Sequence, residues 1–327
     1  AKSSGIDAII ASDMAVINYA RYKDVEIHMS TQSNISNIEA VRFYSQFADV
    51  VVMARELSLE QVKEISKKIQ KESIFGPGGK LVRIEIFVHG ALCMAISGKC
   101  YLSLHMSSAS ANRGACLQFC RRSYTVTDNE IGNQLEIDNE YIMSPKDLWT
   151  IHFLNKILDA GVNVLKIEGR ARSPEYVYTV TQCYSQAVDA WYENNYNTKK
   201  IKEWQEKLQT VFNRGFWDGY YLGQKLGEWS HRYGSHATEK KVYIGRVTNY
   251  FSKAKAAEIT QDTNELELGD KIVITGPSTG ILYPEVKEIR VDDKPVPKTT
   301  KGTIFSIKID TKLRRSDKVY KLVPYNG

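Results

Sequence analysis

The sequence predicts an α/β protein followed by a second, antiparallel β domain. Two observations predict the first part. Apolar runs alternate with helical stretches from Asp7 to Ile167, the pattern of βα units on a parallel sheet. Most of these runs close on polar residues: Asp13; Ser30, Thr31 and Gln32; Arg55 and Glu56; His89; Glu168 and Arg170. In a (β/α)8 barrel such strand ends converge on one face, where the active site lies. A third observation predicts the second part. From about Lys240, turn residues recur roughly every 8–12 positions between short strand-like runs, as in a small antiparallel barrel.

Taken in order, Asp7–Ser12 reads as a short strand and a helix begins at about Met14. Val25–Met29 is the next strand, with a helix over Asn37–Phe47. Asp49–Met53 is a third strand, and Ser58 has the position and chemistry of an N-cap for a helix over Leu59–Gln70. Gly76–Gly79 makes a turn before a fourth strand, Leu81–Val88. Ser144–Asp159 reads as a helix, Val162–Ile167 as a fifth strand, and Pro174–Asn194 as a long helix. Cys183 falls inside that helix and reads as a core thiol on its apolar face. Residues 195–239 form an aromatic, basic connector in which Phe212, Phe216, Trp217, Tyr220, Tyr221 and Trp229 are expected to pack rather than stack on bases. The C-terminal strands are expected at 241–250, 256–259, 270–275, 286–291, 302–309 and 317–322. The domains expected are therefore 1–194, the connector 195–239, and 240–327.

Composition sets the outer limits. The 327 residues are 43% hydrophobic and 25% charged, as in ordinary globular chains. A net charge of +6 suits an anionic partner without requiring one. No apolar run is long enough to span a bilayer. Free cysteines in a basic chain of this kind point to the cytoplasm.

Four of the five cysteines, Cys93, Cys100, Cys116 and Cys120, crowd into the loop 90–124 after the fourth strand. The loop is rich in Gly, Ser and Asn and reads as neither helix nor strand. The spacing C-x6-C-x15-C-x3-C leaves three readings open. An iron–sulfur cluster tolerates irregular spacing. Structural zinc usually takes two tight knuckles, and only the last pair is that tight. Unligated or redox thiols are the third reading. The basic residues Lys99, Arg113, Arg121 and Arg122 suit a thiolate shell of net negative charge.

The strand ends supply the other candidates. Arg55, Arg170 and His89 are cationic or hydrogen-bonding groups able to anchor carboxylates, and Glu56 and Glu168 are placed to orient them or to move protons. Gly276–Gly280 matches G-x-S-x-G, but it joins two short strands and contains Pro277, so it reads as a hairpin and not as a nucleophile elbow. Lys312, Arg314 and Arg315 form a basic cluster that suits either a solvated surface or a phosphate contact.

Several stretches also resemble a known family. E-x-F-x-x-G-A-L-C-x-x-x-x-S-G-x-C-x-L-S from Glu85 to Ser103 and N-R-G-x-C-x-Q-x-C-R-x-x-Y from Asn112 to Tyr124 are similar to the signature of peptidase family U-32. So are S-T-Q-x-N at Ser30, A-R-E-L-S at Ala54, K-I-E-G-R at Lys166 and F-N-R-G-F at Phe212. The C-terminal β segment makes the resemblance nearest to the branch that hydroxylates the wobble uridine of tRNA. The resemblance implies a 4Fe-4S cluster on Cys93, Cys100, Cys116 and Cys120, tRNA as partner, and prephenate, a small dicarboxylate, as co-substrate. It also implies a (β/α)8 barrel, of which this chain would lack roughly the first three units; an open sheet is the alternative. A collagenase-like peptidase and a non-catalytic RNA-binding module are the competing functions. The sequence assigns no oligomeric state.

Overall fold

The computed structural model describes residues 2–125, 141–224 and 227–325, which fall into two compact units. The first comprises 1–170, 180–205 and 213–235; the second comprises 171–179, 206–212 and 236–327. The expected connector is thus divided between them.

The chain begins with β1 (Ala8–Ala11), α1 (Met14–Tyr22), β2 (Glu26–Met29), α2 (Ile38–Tyr44), β3 (Val50–Val52), α3 (Leu59–Glu72) and β4 (Arg83–Gly90). Each helix starts where a side chain satisfies its orphan N–H groups. Asp13 accepts from Val16 N–H, Asn37 accepts from Ala40 N–H, and Ser58 with Gln61 forms a capping box. β1, β2, β3 and β4 pair in parallel, and all three valines of β3 are fully buried.

After β4 the chain forms α4 (Leu102–Ser107), β5 (Asp147–Trp149), α5 (Leu154–Asp159), β6 (Val164–Glu168), α6 (Pro174–Tyr192), α7 (Thr198–Thr210) and β7 (Phe216–Trp217). β6 pairs in parallel with β4, so the parallel strands run β1-β2-β3-β4-β6, an open set among the described residues. β5 pairs antiparallel with the end of β4 and parallel with β7.

Two expectations are corrected here. Ser144–Asp159 is not one helix: its first half is β5, because backbone pairing with His89, Gly90, Phe216 and Trp217 overrides local helix preference. The cysteine loop is not wholly irregular: it holds α4 and two short 3-10 turns, Ala111–Arg113 and Phe119–Arg121. Cys183 is fully buried, as expected of a core thiol.

The second unit holds β8 (Glu239–Phe251), β9 (Ala256–Gln261), β10 (Leu266–Glu267), β11 (Ile272–Gly276), β12 (Gly280–Leu282), β13 (Ile289–Val291), β14 (Lys294–Pro295), β15 (Lys298–Thr299), β16 (Ile304–Lys308) and β17 (Lys318–Pro324). Eight of them form one antiparallel sheet in the order β12-β11-β17-β8-β9-β16-β13-β14, and β10 pairs with β15. Ile272 and Ile274 near one end share a core with Ile289 near the other, around Phe305, so the sheet is curled on itself. The G-x-S-x-G run is the β11–β12 hairpin, with Gly276 opposite Gly280. There Thr279 donates its hydroxyl to the buried Asp317 (2.5 Å), and Ser278 has no strand-to-helix elbow beneath it.

Gly245 marks the tightest approach between strands. A Cβ there would lie 2.0 Å from the carbonyl oxygen of Thr260, a backbone atom that no rotamer change can move. Gly245→Ala is expected to destabilise the protein by about 1–3 kcal/mol. Thermal unfolding followed by circular dichroism checks this, and a melting temperature equal to wild type contradicts it.

Candidate functional site

The cysteine loop is held at both ends. The Arg121 side chain, 8% exposed, donates to Leu92 O (2.5 Å), Pro145 O (2.9 Å) and Ser144 Oγ (3.5 Å). It therefore joins the start of the loop to the segment before β5. Arg214 makes a second tie, donating to Gln118 Oε1 (2.9 Å) and to the buried Asp147 (3.5 Å). Within the loop, Ser103 Oγ accepts from Leu117 N–H, and Tyr124 donates to Phe119 O. Gly98, at φ 78°, lies against Gln32; a Cβ there would come within 3.0 Å of its side chain.

These ties gather the thiols. Cys93 is exposed, and Cys100, Cys116 and Cys120 are half-buried; none is in a disulfide. Burial pushes the Cys120 thiol up, Arg121 opposes this, and Cys93, Cys116 and Cys100 each push it further up. Each of the other three thiols thus lies within electrostatic range of Cys120. Among the described residues no set of three or more His, Cys, Asp or Glu side chains is close enough to hold a single metal ion. Single-ion thiolates sit about 4 Å apart around a zinc, whereas a polynuclear cluster spreads its ligands over separate irons. Four thiols are the number of protein ligands that a 4Fe-4S cluster takes.

Cys93 lines a cavity of about 340 Å³ with Thr31, Asn34, Arg55, Glu56, Leu92, Trp217, Tyr220 and Trp229. Arg55 is its main charged feature. The guanidinium lies 3.9 Å from the centre of the Phe87 ring and 3.8 Å from Glu168 Oε2. Its Nε and Nη1 are buried and have no hydrogen-bond partner among the described residues. Buried donors without acceptors are costly, and a bound anion would satisfy both.

Of the residues singled out in the sequence, Arg55, Glu56 and Cys93 share this cavity, and Glu168 touches it through Arg55. Arg170 is exposed; its backbone N–H, not its guanidinium, donates to Glu168 Oε1 (2.8 Å). His89 is buried instead in an aromatic layer, with Tyr184 and Phe216 each 5.6 Å away by ring centres and its Nδ1 3.4 Å from the Tyr184 hydroxyl. It does not line the cavity.

A charged group beneath the cavity went unnoticed in the sequence. Glu85, 3% exposed, accepts from His28 Nδ1 (2.6 Å) and Lys166 Nζ (2.6 Å). Lys166 also lies 5.5 Å from the Phe87 ring, on which Arg55 rests. Burial pushes the Glu85 carboxyl up, but the bonds from His28 and Lys166 outweigh it and hold the group below the usual carboxylate range. Alternation along β4 places Glu85 and Phe87 on one face, and that was the available signal; the register shifts between Phe87 and His89.

A model of Peptidase family U32 matches residues 1–231. The chain belongs to peptidase family U32. It is 59% identical to a collagenase of Porphyromonas gingivalis over 98% of this chain and 78% of that protein. It is 34% identical to a tRNA hydroxylation protein of Bacillus subtilis, over 84% of this chain and 64% of that protein. The C-terminal domain of a Geobacillus thermoleovorans U32 peptidase aligns with 24% of the chain and 90% of that domain, at 20% identity and a TM-score of 0.23.

The stretches that resemble the U32 family have physical roles in this fold. In F-N-R-G-F, Arg214 ties down the loop at Gln118, Asn213 Oδ1 accepts from Gly215 N–H (3.1 Å), and Phe216 stacks on Trp149 at 4.4 Å. In S-T-Q-x-N, Ser30 Oγ caps a short turn, while Thr31 and Asn34 face the cavity. In K-I-E-G-R, Lys166 and Glu168 serve Glu85 and Arg55.

Glu85 makes a signed prediction. A carboxyl held below its ordinary value of 4.5 contributes stability above that pH and loses it as pH falls through the lower folded value. Glu85→Gln is expected to cost about 3–5 kcal/mol at neutral pH by stranding Lys166. The gap from wild type should narrow below about pH 4. Urea unfolding at several pH values measures it; a gap independent of pH refutes the assignment.

Proposed function

We propose that this U32 protein is an RNA hydroxylase that forms 5-hydroxyuridine at the wobble position of tRNA, with a small dicarboxylate of the prephenate type as co-substrate. One observation carries the reading: a thiol of the cysteine quartet and a guanidinium with two unpartnered buried donors occur in one cavity. The reading takes that thiol as a redox-cofactor ligand and that guanidinium as an anion anchor. Cys93, Cys100, Cys116 and Cys120 would hold a 4Fe-4S cluster, which when bound would supply electron transfer. Arg55 would take a carboxylate of the co-substrate on Nε and Nη1, with Glu168 and the Phe87 ring fixing its plane. Glu56, which lines the same cavity, would take or give a proton. Arg170 at the exposed rim is left for a second carboxylate or a phosphate. His89 orients the aromatic layer behind Phe216 rather than touching substrate. In this reading the parallel strands are an arc of a (β/α)8-type barrel, with Glu85 and Phe87 on its inner face and the site at its strand ends.

The comparisons by themselves favour a second reading, hydrolysis of a peptide. The relative at 59% identity is named a collagenase, whereas the tRNA hydroxylation protein stands at 34%. Hydrolysis needs an activated nucleophile or water, and none of the four loop thiols is hydrogen-bonded to an imidazole among the described residues.

Iron and sulfide assays on anaerobically purified protein separate the readings. The hydroxylase reading expects about four of each per chain, lost together in Cys93→Ser. Mass analysis of tRNA from cells carrying Arg55→Ala should show hydroxylation reduced, with the apparent KM for co-substrate raised roughly ten- to a hundredfold in vitro. Arg55→Lys should rescue only partly, since an ammonium cannot make the two-donor contact. Iron-free protein that cleaves gelatin as fast as the holo form, with tRNA unchanged, sinks this reading and supports the peptidase.

A further inference from the structure

The cations of the second unit are not all alike. Lys241, Lys255, Arg290, Lys298, Lys308 and Lys321 are each paired with a carboxylate, to Glu175, Asp310, Glu288, Glu265, Glu288 and Asp270. Arg246 and Lys318 are exposed, have no ion pair among the described residues, and stand directly opposite each other in the β8–β17 register. Other lysines of the unit are unpaired too, but only here, among the described registers, does the backbone set two cations face to face. Like charges placed so oppose each other and weaken the strand pair.

The loop before β17 adds to them. It carries Lys312, Arg314 and Arg315, all exposed, and is bound to the same stretch of β8: Ser316 N–H donates to Val247 O, and Val247 N–H donates to Asp317 O. The adjacent acid does not neutralise the group. Asp317 is 1% exposed and turned inward, accepting from the Thr279 hydroxyl (2.5 Å) and Arg314 N–H (2.8 Å). Beyond the Gly245–Val319 pair and a register shift, Tyr243 and Tyr320 stand opposite each other, both half-buried, with ring centres 5.4 Å apart. Lys241 Nζ lies 4.8 Å from the Tyr320 ring, and Asp262 accepts from the Tyr243 hydroxyl at the edge of the patch.

We infer that the outer face of β8 and β17, with the loop 312–316, is a docking surface for a single strand of RNA. Cations repelling one another across a strand pair are relieved by a polyanion. Phosphates spaced along a chain match a row of cations, and the tyrosine edges next to it offer ring surface to an unstacked base. The inference rests on reading the protein as an RNA-acting enzyme, but it concerns a surface that holds none of the residues assigned to that reaction.

Binding of a fluorescent oligouridylate to the full chain, measured by anisotropy between about 50 and 200 mM salt, tests it. The double variant Arg246→Ala/Lys318→Ala should bind several-fold more weakly. Its slope of log affinity against log salt should fall by about 1.4, two contacts at about 0.7 each. Its melting temperature should match or exceed wild type, since a repulsion is removed. Arg290→Ala/Lys298→Ala, which removes two cations already paired, should leave the slope unchanged. The surface is overturned if the first variant keeps the wild-type slope, if both variants lower it equally, or if polyglutamate competes as well as oligouridylate. Wild-type protein that binds no RNA at any salt overturns the RNA reading as well; RNA binding that the first variant leaves intact overturns the surface alone.

Discussion

The Arg121 guanidinium closes the cysteine loop, and the geometry of the site depends on that closure. It is a buried cation bound to neutral acceptors, two carbonyl oxygens and one hydroxyl. Such a group loses hydration without gaining a counter-charge, so its position is held only while all its acceptors remain in place. Leu92 immediately precedes Cys93, and Arg121 immediately follows Cys120. The two ends of the thiol-bearing segment therefore meet at one side chain. Arg214 repeats the arrangement at Gln118, between the last two cysteines, with the buried Asp147 on its other side. Four thiols spread over 28 residues are in this way confined to one region without a disulfide.

Beneath the loop, the sheet carries charge where a parallel sheet usually carries aliphatic side chains. Glu85 sits between His28 and Lys166, and the Phe87 ring separates Lys166 from Arg55. A buried ionic group of this kind is weak evidence for stability but demands one arrangement, because each ion is tolerable only with its partner present. Arg55 differs in kind. Its aromatic and acidic neighbours hold the guanidinium plane, yet two of its donors remain unsatisfied in a cavity wall. An acceptor bound in the cavity would satisfy them.

The sequence was most legible where local chemistry decides structure. Asp13, Asn37 and Ser58 cap the helices that follow them, and the valines of β3 are buried on both faces as a central parallel strand requires. The turn spacing after Lys240 gave the main strands of the second unit, missing only the two- and three-residue ones, β10, β12, β14 and β15. It failed where partners lie far along the chain. Asp147–Trp149 looked helical because its strand partners are near His89 and Phe216, each more than fifty positions away. The same distance hid Glu85: read alone it is one acid in an apolar run, and only β2 and β6 supply the cations that explain it.

The candidate residues divide along the same line. Residue type and position in the loop or at strand ends were enough to single out the four loop cysteines, Arg55, Glu56 and Glu168 as candidates. They were not enough to separate these from His89 and Arg170, which share the same positions in the pattern but point into an aromatic layer or to solvent. Alternating hydrophobicity, caps and turns are properties of neighbouring residues, so the chain by itself determined its elements and the family to which it belongs. Which side chains face one cavity, and which buried donors lack acceptors, depends on pairings between residues dozens of positions apart, so only the tertiary structure decided them.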